Sequence, residues 1–109
     1  MKPPEKKIIL LVDDTPENID VLSGVLGADH KIKAALNGKR AIKIAGAGKP
    51  PDLILLDVMM PDMDGFEVCR ILKDNPRTRE IPIIFVTAKT ATSDEKVGFE
   101  IGAVDYITK

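Results

Sequence analysis

Asp13, Asp14, Asp57, Thr87 and Lys109 are the side chains of this sequence whose types could do chemistry together. Each follows a short greasy run. Asp13 and Asp14 follow IILLV (8–12), Asp57 follows LILL (53–56), Thr87 and Ala88 follow IIFV (83–86), and Lys109 follows DYIT. Three carboxylates held close together repel one another and raise each other's proton affinity, and a divalent cation relieves that repulsion. A few hard oxygen ligands suit Mg²⁺, which keeps several waters and often takes a phosphate oxygen as well. A carboxylate is also a nucleophile toward phosphorus and gives an aspartyl phosphate. The oxygens of that product need donors, and a Thr87 hydroxyl, an Ala88 N–H and a Lys109 ammonium would supply them. The set has the chemistry of a phosphoryl acceptor site.

Such a set works only if the fold brings its members together. The runs at 8–12, 53–56 and 83–86 are too short for helices and suit strands buried on both faces. VDYIT (104–108) is a fourth strand candidate, and KIKAA (31–35) alternates like an edge strand. Between them the period changes to that of helices. Pro16 can open one at its first position, with a stripe of Ile19, Leu22, Val25 and Leu26. Ala41, Ile42 and Ala45 mark a second, closed near Gly46 and Gly48. Phe66, Cys69 and Leu72 mark a third, ending before Asn75-Pro76. Thr92 with Glu95 forms a capping-box pattern for a fourth, with Gly102 as its stop. Strand and helix alternate to the end, which predicts an α/β domain with a parallel sheet and helices on both faces. In such sheets all strands end on one edge, where ligands bind, so the five polar positions are expected to converge there.

Composition agrees with a single globular domain over residues 1–109, residues 1–6 being a polar lead-in. The chain has 109 residues, 44% hydrophobic and 30% charged, with a net charge of -1. That charge gives no strong field toward nucleic acid or an anionic membrane. No apolar run approaches the ~20 residues of a membrane span. The N-terminus lacks a signal-peptide pattern, and the lone Cys69 excludes an internal disulfide, so a cytoplasmic protein is expected.

With ILLVDD, LILLDVMMPDMDG, IIFVTA and DYITK all in place, nearly the whole chain resembles the receiver domain of two-component response regulators. The resemblance implies a flavodoxin-like, doubly wound five-stranded parallel sheet of order 2-1-3-4-5. It implies that Asp57 is the phosphoacceptor, that Asp14 ligates Mg²⁺ directly and Asp13 mostly through water, and that the Met59 backbone carbonyl adds a ligand. Thr87 and Lys109 would bind the phosphoryl group, with Ala88 and the Met59 backbone beside it, and Tyr106 would switch inward when Thr87 moves. Met59 and Lys89 would tune the lifetime of the phosphoryl group, and an apolar Met59 cannot orient an attacking water. The implied partners are a histidine kinase or phosphotransfer protein, an output domain or downstream protein, and a second copy in a homodimer. Residues 92–108 would form the output face. DTPENIDVL and GFEIGAVDYITK look most like receivers joined to cyclic-dinucleotide enzymes or hybrid kinases.

Each residue alone has an ordinary reading. Acids before Thr15-Pro16 favour a helix N-terminus, Asp57 can be a turn acid, Thr87 a strand residue and Lys109 a solvated end. Only their joint placement carries the phosphoacceptor reading. The alternative is an unphosphorylated interaction module on the same fold, which predicts an incomplete set. A free-standing phosphatase would want a second acid where Met59 stands. His30 in GADHK reads as a surface turn residue, DNPRTRE as a solvated loop, and Cys69 as a small buried hydrophobe. The family continues past the lysine with a proline and a final helix that this chain lacks, and the expected topology puts that helix on the same sheet face as the helix at 16–27. Three or four missing anchors at ~1.5–3 kcal/mol each would sum to roughly 5–10 kcal/mol, comparable to the ~5–15 kcal/mol stability of a domain. The chain is therefore expected to be a fragment of a longer protein, or to have that face covered by another chain.

Overall fold

A run such as Ile8–Val12 has no polar position to turn toward water, so it must be covered above and below. The computed structural model describes residues 6–87 and 100–108 and places this run, β1, with all five residues buried. β1 pairs on one side with β2 (Lys31–Ala35) and on the other with β3 (Leu53–Leu56). β3 pairs with β4 (Ile83–Thr87), and β4 with β5 (Asp105–Thr108). All pairs are parallel and the order is β2-β1-β3-β4-β5, as the receiver resemblance implies. Thr87 lies inside β4, one residue beyond the greasy run.

Three helices cover the sheet among the described residues. α1 (Pro16–Leu26) starts with Pro16 at its first turn, where the missing N–H costs nothing. α2 (Gly38–Gly46) is capped by Asn37, whose side chain accepts from the Arg40 N–H, and α3 (Gly65–Asp74) by Asp64, which accepts from Glu67 N–H. α2 and α3 bury Ala41, Ala45, Val68, Cys69 and Leu72 against Leu10, Val12, Ile54, Leu56, Ile83 and Phe85, forming the main core. Gly38 permits their close approach, since a Cβ there would lie 2.7 Å from a Val68 methyl and 2.9 Å from the Met63 sulfur. On the other face α1 packs Ile19, Leu22 and Leu26 against Ile9, Leu11, Ile32, Leu53 and Leu55. None of the described helices is long and apolar enough to cross a membrane.

Three expectations are corrected. Val25 is 71% exposed, because Ile19, Leu22 and Leu26 make a narrower stripe that rolls Val25 off the sheet. β3 and β4 are not fully buried on both faces. Leu53, Leu55, Ile84 and Val86 are half-buried, because among the described residues only α1 covers their side of the sheet, the side where the absent final helix is expected to pack, whereas α2 and α3 cover the other. The loop after α3 is not solvated throughout. Thr78 is buried there, and its hydroxyl donates to the Leu72 carbonyl at 2.6 Å, satisfying a group the helix end leaves open. His30 is half-buried in its turn, its Nδ1 3.0 Å from the Leu26 carbonyl. Cys69 is buried, and burial pushes its thiol up from the ordinary range against the opposing charges of Lys73 and Arg70. Gly102 has a positive φ of 109°, a conformation glycine adopts without strain. The capping-box pair Thr92 and Glu95 lies outside the described residues.

Candidate functional site

Register builds the site. Val12 is the partner of Leu56, so Asp13 and Asp57 leave adjacent strands at the same height, and Asp57 N–H donates to the Val12 carbonyl at 2.9 Å. Asp13 and Asp57 are buried and Asp14 is exposed. One carboxylate oxygen from each of the three lies within 4.8 Å of the others. A buried carboxylate needs donors or a cation. Asp13 has donors: Thr15 N–H at 2.9 Å to Oδ1 and Asn18 Nδ2 at 3.2 Å to Oδ2. Asp57 Oδ1 accepts the Met59 N–H at 3.2 Å. The trio thus offers hard oxygen donors, close enough to share one divalent cation, at the carboxyl edge of a parallel sheet.

An open cleft of about 630 Å³ runs beside the trio, lined by Asp14, Val58, Met59, Met60, Pro61, Asp64 and Phe66. Met59 is 58% exposed at its mouth, while Met60 turns into the core. The Phe66 ring meets buried Phe85 of β4 edge-on, centroids 5.1 Å apart, which ties the cleft wall to the next strand. The backbone of Thr87 ends β4 on the same edge, two residues beyond Phe85, the partner of Leu56. Thr108 is the partner of Thr87, and Tyr106 of Phe85. Ala88, Lys89 and Lys109 lie outside the described residues.

Two supporting residues escape a reading of the sequence. Asn18, one turn into α1, donates to Asp13, and no motif in the sequence marks it. Gly65 opens α3 against the back of the site: its N–H donates to Val58 O at 3.0 Å, and a Cβ would collide with the Asp57 carbonyl oxygen. The glycine of MDG is the available signal for it, a backbone approach too close for any side chain.

A doubly wound parallel sheet of this order, with an acidic pocket where β1 and β3 end, defines a flavodoxin-like domain of the phosphoacceptor class. The family model for the response regulator receiver domain matches residues 9–109, and the chain belongs to that family. It is 52% identical over 101 residues to a probable cyclic di-GMP phosphodiesterase of Vibrio cholerae, a match covering 93% of this chain and 23% of that protein. It is 48% identical over 102 residues to the response regulator PleD of Caulobacter vibrioides, covering 93% and 22%. The chain therefore spans about a quarter of the length of these relatives. Among solved structures, the N-terminal domain of a response regulator receiver protein from Methanoculleus marisnigri JR1 superposes with a TM-score of 0.85 at 39% identity, covering 94% of this chain and 83% of that one.

Proposed function

We propose that Asp57 accepts a phosphoryl group from the phosphohistidine of a partner histidine kinase or phosphotransfer protein. An Asp57 oxygen forms the new P–O bond as the P–N bond breaks, and the electron pair stays with the departing imidazole nitrogen. The observation that carries this reading is the trio of carboxylates within 4.8 Å, two of them buried. Asp13, Asp14, Asp57 and the Met59 backbone carbonyl would hold a magnesium ion, which supplies positive charge against the carboxylates and the phosphoryl oxygens. Asp13 already accepts two protein hydrogen bonds, which suits an indirect, water-bridged part, whereas exposed Asp14 suits direct ligation. Thr87, Ala88 and Lys109 would donate to the phosphoryl oxygens. Thr87 and Tyr106 would pass the state to a surface at 92–108. This is positioning and electrostatics, with little covalent chemistry from the protein.

The test is acetyl phosphate with Mg²⁺. Intact mass rises by one phosphoryl group, and Asp57→Asn abolishes the gain. No adduct from any phosphodonor would leave an unphosphorylated interaction module instead. Met59, with no polar group to orient water, slows hydrolysis of the phosphoryl-aspartate. Met59→Asn therefore shortens its lifetime in a decay time course, and unchanged kinetics count against this role.

Residues 1–109 would then act as the cytoplasmic receiver unit of a longer protein. The Vibrio relative named above favours a cyclic-dinucleotide enzyme as its output. The downstream coding sequence tests this directly, and a DNA-binding module there would overturn it.

A further inference from the structure

Six of the 16 Lys and Arg of the chain lie between His30 and Pro51, and none of its 17 Asp and Glu do. In the fold this stretch is β2 and α2, one flank of the molecule. Lys31, Lys39, Arg40 and Lys43 are exposed and Lys33 is half-buried. Asp62 and Glu67 border the patch beside Lys39, where the three share a cleft with Asn37. Among the described residues β2 is also the terminal strand of the sheet. Lys31 N–H donates to Lys7 O, and Ala35 O accepts from Asp13 N–H, so the odd-numbered residues of β2 turn their backbone groups inward to β1. By alternation, the N–H and C=O groups of Ile32 and Ala34 face outward along the open edge.

We propose that this flank binds an acidic, extended polypeptide segment that adds to the sheet beside β2. Two features select this occupant. The outward donors and acceptors of Ile32 and Ala34 are matched by another polypeptide backbone, which neither a nucleic acid duplex nor a lipid surface presents. The lysines repel a second β2, as charged edge strands do, but attract a strand bearing carboxylates. The acid trio takes no part, so this binding is independent of phosphorylation.

The probe is a synthetic eight-residue peptide of alternating Glu and Val, titrated into the 109-residue chain at low salt. Backbone amides of Ile32 and Ala34 gain hydrogen-exchange protection while those of Lys31 and Lys33, already bonded inward, change little. Affinity falls as salt rises. Lys31→Glu with Lys33→Glu, or separately Arg40→Glu with Lys43→Glu, weakens binding by about tenfold, and each variant is checked for native circular dichroism. A peptide of equal charge with alternate residues replaced by proline loses binding, because it cannot pair along the edge. Binding of the proline peptide as tight as the alternating one, no protection at Ile32 and Ala34, or stronger binding of duplex DNA or phosphatidylserine vesicles would each overturn the proposal.

Discussion

Gly65 and Gly24 show how much a single Cβ can matter, depending on what surrounds it. At Gly65 a methyl group would run into the Asp57 carbonyl oxygen and lie 2.9 Å from Val58 Cα, both backbone atoms that cannot step aside. Gly65→Ala should therefore cost about 1–3 kcal/mol in urea unfolding, and slow phosphorylation by acetyl phosphate because Asp57 is pushed. At Gly24, inside α1, a Cβ meets nothing within 4 Å. Gly24→Ala should raise stability by about 0.5–1 kcal/mol through helix propensity, leaving phosphorylation unchanged. Equal effects at the two positions would show that the close approach behind Asp57 is not what requires a glycine.

At the level of elements, the start and the end of α3 are legible in the sequence to different degrees. Its end before Asn75-Pro76 follows from proline chemistry and is where the helix stops. Its start shows there only as an apolar stripe. The Asp64 side chain fixes that start by accepting from the Glu67 N–H, a local hydrogen bond that many Asp-containing turns could equally make. The loop beyond the helix is the least legible part, because Thr78 looks like any polar loop residue until the chain folds back. Its hydroxyl then serves a carbonyl six residues earlier. Thr78→Val keeps the shape and removes the donor. A loss of about 1–3 kcal/mol is expected in thermal or chemical melts, and a neutral result would mean that the Asn75 N–H, 3.4 Å from the same carbonyl, suffices.

At the scale of the whole molecule, the two faces of the sheet carry unequal loads. Ile83 is fully buried against the α2–α3 side, while its neighbour Ile84 is half-covered on the α1 side. Ile83→Ala should cost about 2–5 kcal/mol and Ile84→Ala distinctly less, as measured by the denaturation midpoint at constant m-value. Similar costs would mean that the α1 side is as tightly packed as the other. Strand positions, their parallel pairing and the three acids at their ends are all readable from the chain, because continuous apolar runs between amphipathic helices leave few other arrangements, and sheet order comes through the family resemblance. Which side of each strand is well covered is readable only through the family resemblance, whose final helix would share the α1 face, since burial depends on which helices lie on each face and not on the strand's own residues. Nor can spacing alone show that Asp13 spends its oxygens on Thr15 and Asn18 while Asp14 stays open to solvent. Adjacent acids have the same chemistry, and only the turn into α1 decides which of them points back at the helix and which faces water.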